Sequence, residues 1–307
     1  MKRYQFIHQQ QQPPHTPVRE VSHVIAELTE MLGVSKSGYY DWRDRPTSPR
    51  TQHHRELAEQ VHEAYDQCHG IYGSRKITAE LKDRNIKICR NTVATLMREK
   101  RLQCKAQRRK SFTVTTDSNH ADPIAPNFLQ RQFNADSPNE KWVADITYVP
   151  TDEGWAYLAA VMDLFSRRIV GWSVSNHIDT TLVMEALDMA LETRRPGSGL
   201  MHHSDRGCQY ASSQYRERLA SRGIECSMSR GGDPWDNACM ERFMNSYKNE
   251  WVKHRQYDTI VSVRHSSFEY IEMFYNRKRR HQALGYVSPV RYEAIHRGGG
   301  GDKHHAA

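Results

Sequence analysis

The stretch KWVADITYV, residues 141–149, sets one aspartate, Asp145, in the middle of an apolar run. Its β-branched and aromatic residues predict a strand with Asp145 inside it. A carboxylate facing a packed core alone is costly, so at such a position it is paired, protonated or bound to metal. The competing reading is a strand-end aspartate that accepts backbone hydrogen bonds. No lysine or arginine stands next to it in sequence to serve as a partner.

Moving outward, WAYLAAVMDLF (155–165) and RRIVGWSVS (167–175) repeat the apolar, β-branched pattern, separated by short turn-forming segments. Three consecutive antiparallel strands are predicted, with Trp142 and Trp155 in the core and Asp163 capping a turn. Next, DTTLVMEALDMALETRR (179–195) predicts a helix capped by Asp179 or Thr180, with Leu182, Val183, Ala186 and Leu187 on one apolar face. LMHHSD (200–205) is a short strand ending at Asp205, with His203 read as a hydrogen-bonded strand histidine. A helix near 212–222, the strand IECSMS (224–229) and a long helix near 237–251 complete an order β-β-β-α-β-α-β-α. The fold class is therefore α/β, a mixed five-stranded sheet with helices.

The loop before the last helix, SRGGDPWDNACMERF (229–243), holds three carboxylates. Gly231, Gly232 and Pro234 break regular structure, which leaves Asp233 in the loop, with Trp235 as its anchor. Asp236 or Asn237 is placed to cap the helix. Glu241 lies inside it, sharing a face with Asn245 and Lys248. Two strand aspartates and a helical glutamate, in that order, suit two divalent cations about 4 Å apart for in-line attack on a phosphodiester. Asp145, Asp205 and Glu241 are thus the candidate catalytic and metal-binding residues, and hard oxygen ligands favour two ions of Mg²⁺ or Mn²⁺.

The N-terminal part reads differently. Residues 1–111 hold 21 Lys/Arg against 12 Asp/Glu, a net +9 within a chain of net +8, so a polyanion such as DNA would dock there. Residues 1–18, rich in Gln and Pro, are expected to be a flexible leader. Residues 19–46 predict two short helices, with Gly33 ending the first and Ser35 capping the second, at helix-turn-helix spacing. Residues 51–111 predict a second helix-turn-helix, with helices near 53–68, 74–84 and 91–100. Arg75 and Lys76 at one helix start, and Arg90, Asn91 and Thr92 at the start of the reading helix, are candidate DNA contacts. A linker over 112–138 leads to the core at 139–257, followed by a helical, basic extension at 258–295 and a disordered tail at 296–307. Lys248 is a candidate phosphate contact. In the extension, Arg277, Lys278, Arg279 and Arg280 form a further candidate DNA-binding cluster. The six cysteines show no CxxC pair, no apolar run is long enough to span a membrane, and no secretory signal is present, so a cytoplasmic protein is expected.

These motifs, in order, resemble a known family. GVSKSGYYDW, YGSRKI, RNTVATLMREKRL, WVADITYV, HSDRGCQY, DNACMERFMNSYKNE and YNRKRRHQALGYVSP are similar to segments of the second reading frame, orfB, of insertion sequence 3 family transposases. The likeness spans about residues 21–289, and Asp145, Asp205 and Glu241 match the D,D(35)E pattern of the wider DDE transposase and retroviral integrase superfamily. It implies an RNase H-like integrase core, binding of insertion-sequence ends, 3′-end cleavage and strand transfer, and a circular DNA intermediate. It also implies a dimer or larger assembly on DNA, nucleoid association when DNA-bound, and a possible partnership with the upstream-frame orfA product. A sequence-specific DNA-binding regulator with a degenerate core is the rival expectation, and convergence of the three carboxylates separates the two.

Overall fold

A computed structural model describes residues 2–10, 18–105, 123–231 and 233–297. The chain divides into two units, 1–61 and 62–307. The first contains α1 (Lys2–Gln9), α2 (Val18–Met31), α3 (Lys36–Asp44) and the start of α4 (Pro49–Gln67). Ser35 caps α3, its side chain accepting the Gly38 amide at 3.0 Å, and Gly33 at φ +61° turns the chain out of α2. Ile7, Ile25 and Tyr39 are fully buried together. The expected flexible leader is thereby corrected over residues 2–9. Tyr4 and Ile7 fall three apart, so a short helix presents both to α3, and Tyr4 stacks on Trp42 at 5.9 Å. The Gln/Pro run at 11–17 lies outside the described residues.

In the second unit the remainder of α4 is followed by α5 (Ser74–Asp83) and α6 (Arg90–Glu99), which pack on one another, and Ala64, Ile77, Leu81, Val93 and Leu96 are buried. After α6 the chain returns to the loop between α4 and α5, where Lys105 donates its amide to Gly70 O at 2.9 Å.

The core sheet comprises β1 (Lys141–Thr151), β2 (Gly154–Asp163), β3 (Arg168–Ser175), β4 (Met201–Ser204) and β5 (Glu225–Met228), ordered β3-β2-β1-β4-β5. The first three form an antiparallel meander, whereas β4 and β5 add parallel to β1. One face is covered by α7 (Thr180–Arg194), which buries Leu182, Val183, Ala186 and Leu187 against Trp142 and Val161. The approach is close: a Cβ on Gly171 of β3 would lie 2.1 Å from Ala186 O. Asp179 caps α7 as expected, accepting the Leu182 amide at 3.0 Å. Two short helices, α8 (Cys208–Ala211) and α9 (Ser213–Ser221), link β4 to β5.

Against β1 lies α10 (Ala238–Glu250), and α11 (Ile260–Phe268) packs on β1 and β3. The chain continues from α11 through a π-helical segment, Glu269–Tyr275, and reaches α12 (Pro289–Arg297). The π segment buries Tyr270, Ile271, Phe274 and Tyr275 against Phe243, Tyr247 and Trp251.

Three further expectations need revision. Trp142 is fully buried, but Trp155 is 54% exposed, because it pairs with Pro150 at the far end of the β1–β2 hairpin, one pair before the turn. Residues 123–138 are not simply a linker: Leu129 is buried, and the Phe128 and Leu129 amides donate to Ser227 Oγ at 2.9 and 3.2 Å, covering the β5 edge of the sheet. The tail begins later than 296, since α12 runs to Arg297 and residues 298–307 lie outside the described set.

Candidate active site

The sheet brings the two aspartates near one another. The parallel pairing of β1 with β4 sets Trp142 opposite His202 and Val143 opposite His203. Asp145 stands two residues further along β1, and Asp205 stands just past the end of β4, two residues beyond His203. Asp145 Oδ1 accepts its neighbour's amide, Ile146 N, at 2.8 Å. Asp205 Oδ1 accepts the Gly207 amide at 3.0 Å, a turn that aspartate favours at a strand end. Glycine at 207 matters here, because a Cβ would lie 3.1 Å from Asp205 Oδ1.

The third carboxylate arrives on α10. Asn237, just before the helix, donates from Nδ2 to Ala144 O at 2.9 Å, which ties the start of α10 to the residue preceding Asp145. Glu241 follows within the first turn and is half-buried. Burial, then the charge of Asp205, hold the Asp145 carboxyl well above its ordinary value; Glu241 adds to this, while the Ile146 amide and Lys248 oppose it. Burial also raises Glu241. Lys248 supplies the cation that Asp145 lacks in sequence: it shares α10 with Glu241, and its Nζ sits 3.8 Å over the Tyr148 ring. Burial lowers the Lys248 ammonium, against the pull of Asp145. Among the described residues no three His, Cys, Asp or Glu side chains converge closely enough to hold one metal ion. The charges of Asp205 and Glu241 already oppose ionisation of Asp145, so the three have no electrostatic reason to close further without a cation between them.

The loop before α10 differs from its sequence reading. Asp236 is not a helix cap: it is fully buried, and its carboxylate accepts Arg230 Nε and Arg131 Nε at 2.9 Å each and Asn127 Nδ2 at 2.8 Å. The Arg230 bond, assisted by Arg131, holds it far below the carboxylate range. Asn237, the alternative, holds the N-cap position of α10 without a side-chain cap bond, Asp233 caps the 3-10 turn Pro234–Asn237 by accepting the Trp235 amide at 3.2 Å, and Trp235 is 68% exposed rather than an anchor. Arg230 within the loop and Arg131, 105 residues away, thus fix the loop in place of its tryptophan.

Two residues near the carboxylates had no sequence signal beyond their neighbours. Asn237 was read only as a cap. Tyr210 is fully buried in the α7 core cluster with its hydroxyl unpaired, and the charges of Asp145 and Asp205 help raise its pKa. His203 is a hydrogen-bonded strand residue, with Ser227 Oγ at 2.8 Å and Ser229 Oγ at 3.1 Å, and burial lowers it to about 4. Asp163 caps the β2–β3 turn through the Phe165 amide at 3.0 Å and pairs with Arg194 at 2.8 Å.

The basic candidates separate into outward and inward groups. Arg75, Arg90 and Asn91 are exposed, and Thr92 is half-exposed with its hydroxyl 3.2 Å from Cys89 Sγ. Lys76, one residue on from Arg75 and so rotated about 100° around α5, turns inward, its Nζ 4.9 Å over the Tyr72 ring. Burial lowers it to about 8. In the C-terminal cluster Arg277 and Lys278 are exposed, but Arg279 and Arg280 are buried in ion pairs. Arg279 bonds Glu250 through Nε at 2.7 Å and Nη2 at 2.6 Å. Arg280 bonds Glu80 and Asp83, each at 2.8 Å. The DNA-binding reading is withdrawn for Lys76, Arg279 and Arg280, because cations enclosed by carboxylates or an aromatic face present nothing to a phosphate.

Comparison with known proteins agrees with this architecture. Two family models of the integrase core domain match residues 135–234 and 222–289, and one of an HTH-like domain matches 52–110. A 31 kDa protein of insertion element IS600 from Shigella sonnei is 42% identical over 86% of this chain and 97% of its own length. The transposase InsF of insertion sequence IS3A from Escherichia coli K12 is 38% identical over 88% of this chain and 93% of its own. A chain of the simian T-cell lymphotropic virus intasome, solved with PP2A regulatory subunit B56 gamma, aligns over 76% of this chain and 74% of its own, with TM-score 0.45 and 14% identity. With an integrase core, a helix-turn-helix-like segment and near full-length relatives, the chain belongs to the transposases of the insertion sequence 3 family.

Proposed function

We propose that Asp145, Asp205 and Glu241 are the catalytic carboxylates of a DDE polynucleotidyl transferase that cleaves insertion-sequence 3′ ends and joins them to target DNA. The observation that carries this is that Asp145 on β1 and Asp205 at the end of the parallel neighbour β4 stand close enough, with Glu241 of α10, for the charges of Asp205 and Glu241 both to act on Asp145. A DNA-binding regulator has no use for that arrangement, since it raises the cost of the fold for no binding gain.

The donor set fits a hard divalent cation: three carboxylate oxygens sources and no thiolate or imidazole ligand. Two Mg²⁺ or Mn²⁺ ions held by these residues would supply Lewis-acid activation and charge neutralisation. The protein's own contribution is positional. The Gly207 turn orients Asp205, Asn237 fixes the start of α10 to β1, and Lys248 offers an ammonium beside Asp145 for the scissile strand's phosphate. Arg75, Arg90, Asn91 and Thr92 are the proposed contacts of the helix-turn-helix with the element end, and Arg277 and Lys278 add exposed charge. A dimer or larger assembly on paired ends, the orfA product as partner and cytoplasmic location belong to the same reading. Among the described residues no helix is long and apolar enough to cross a membrane.

The test is strand transfer by the full chain on a labelled duplex carrying the element's end, in Mg²⁺, comparing wild type with Glu241→Gln and Asp145→Asn. Both variants should retain end binding and lose cleavage and joining by at least about a thousandfold. Joining by Glu241→Gln at the wild-type rate would defeat the assignment.

A further inference from the structure

The reading segment and the cutting segment match separate family models, with residues 106–122 between them outside the described set. Domains so connected move relative to one another by default unless their interface is substantial. Here two consecutive arginines bond to different elements. Arg279 grips Glu250 at the end of α10, the helix that carries Glu241; Nη2 also reaches Ser246 Oγ at 3.2 Å, and Tyr270 Oη donates to Glu250 at 2.9 Å. Arg280 grips α5 of the helix-turn-helix: Nε to Glu80 and Nη2 to Asp83 at 2.8 Å each, while Nη1 donates to Tyr286 O at 3.0 Å.

The surroundings leave this contact little freedom. The Arg280 amide donates to Tyr72 Oη at 2.8 Å, and Tyr72 Oη donates to Lys278 O at 3.2 Å, so the loop entering α5 is bonded to the same backbone. His69 packs edge-on against Trp251 and Phe274 at 5.3 and 5.6 Å. Arg291 adds a second cation to Asp83 at 2.6 Å. The arginine loop is itself closed by a bridge between His281 and Val287 and by Gly285 at φ +67°. A buried guanidinium with both carboxylates and a carbonyl satisfied holds one geometry, because any shift leaves a charge unpaired in a poorly solvated place.

We propose that Arg279 and Arg280 are positioning residues forming a double staple, which fixes α6 relative to the carboxylates and so sets which phosphate is cut. The route is continuous: α6 packs on α5, α5 is held by Arg280, and the adjoining Arg279 is held by α10. The inference rests on the reading of Arg90, Asn91 and Thr92 as contacts with the element end. The distance from recognised sequence to cut bond is then a property of the protein, as long as both staples hold.

The experiment uses the full chain, Mg²⁺ and an end-labelled duplex carrying the end of the insertion element that encodes it, and reads end affinity and the position of the 3′ cut separately. Arg280→Glu should bind the end within about threefold of wild type, while cutting at the correct phosphate falls at least about tenfold and displaced cuts appear. Restoring the pair by charge exchange, Arg280→Glu with Glu80→Arg, should return the cut to register. If Arg280→Glu does not fold, Asp83→Asn, at the solvent edge of the same contact, should raise the displaced fraction about threefold or more. Cutting by either folded variant at the wild-type position and rate overturns the staple. Arg90→Ala with Asn91→Ala is the separate control: unchanged end binding would remove the reading end and overturn the inference on that ground, whereas lost binding supports it and leaves the register test decisive.

Discussion

Replacing Arg279 with alanine should destabilise the protein far more than replacing Arg277 or Lys278 in the same basic run. The guanidinium makes two bonds to Glu250 at 2.6 and 2.7 Å, and the two side chains are only 10% and 5% exposed. Hydrogen bonds to a charged group are worth about 1.5–3 kcal/mol each, so the pair of bonds sums to roughly 3–6 kcal/mol. That agrees with the about 3–5 kcal/mol measured when one partner of a buried ion pair is removed. Burial pushes Glu250 up, and Arg279 more than offsets it, leaving the carboxyl below its ordinary value. Without Arg279 the carboxylate must take up a proton or draw in water, so the loss is largest at neutral pH and shrinks as pH falls through the carboxylate range. Thermal melting should drop by roughly 6–20 °C. Arg277→Ala and Lys278→Ala, both exposed, should shift stability by less than about 0.5 kcal/mol and act on DNA affinity instead. The double variant Arg279→Met, Glu250→Leu should recover most of the loss, since it leaves no charge behind. If Arg279→Ala melted with wild type and weakened DNA binding as Arg277→Ala does, the internal ion pair would be refuted and the run would be a phosphate clamp after all.

His202 is 1% exposed, its Nε2 lies 3.0 Å from Tyr215 Oη, and burial lowers it to about 3. Below about pH 6.5 the unfolded chain binds a proton that the folded one refuses, so stability should fall with acid until about pH 3, and His202→Gln should remove about one proton from that slope in denaturant titrations across pH. Gly207→Ala has an ordinary φ of −61°, so the fold should survive, but its Cβ would press on Asp205. Cleavage should fall at least about tenfold with melting nearly unchanged, and full activity would show that the Asp205 turn needs no glycine.

Much of the fold was legible because it is written in short-range patterns. The apolar runs around Asp145 and Val161 are strands in the structure, Asp179 and Ser35 cap where their side-chain chemistry says they should, and α6 begins at the Arg90 predicted to open it. Position in chain order was also enough to nominate Asp145, Asp205 and Glu241. Where reading failed, long-range partners were responsible. Asp236 has the local form of a cap, yet Arg131, 105 residues away, helps take its carboxylate. Trp155 has a core residue's composition, but the hairpin carries it beyond the packed layers.

The basic run Arg277–Arg280 states the division most clearly. By itself the sequence determined that a strongly charged segment follows the core, because charge is a property of each residue alone. Only the tertiary structure decided that Arg279 and Arg280 face inward, since that depends on Glu250, Glu80 and Asp83, the last two about 200 residues away. The same holds for the carboxylates: the residue types are local facts, whereas the approach of Asp205 to Asp145 exists only through the parallel pairing of β1 and β4. A charge can be counted along a chain, but its energy is set by what the fold places beside it.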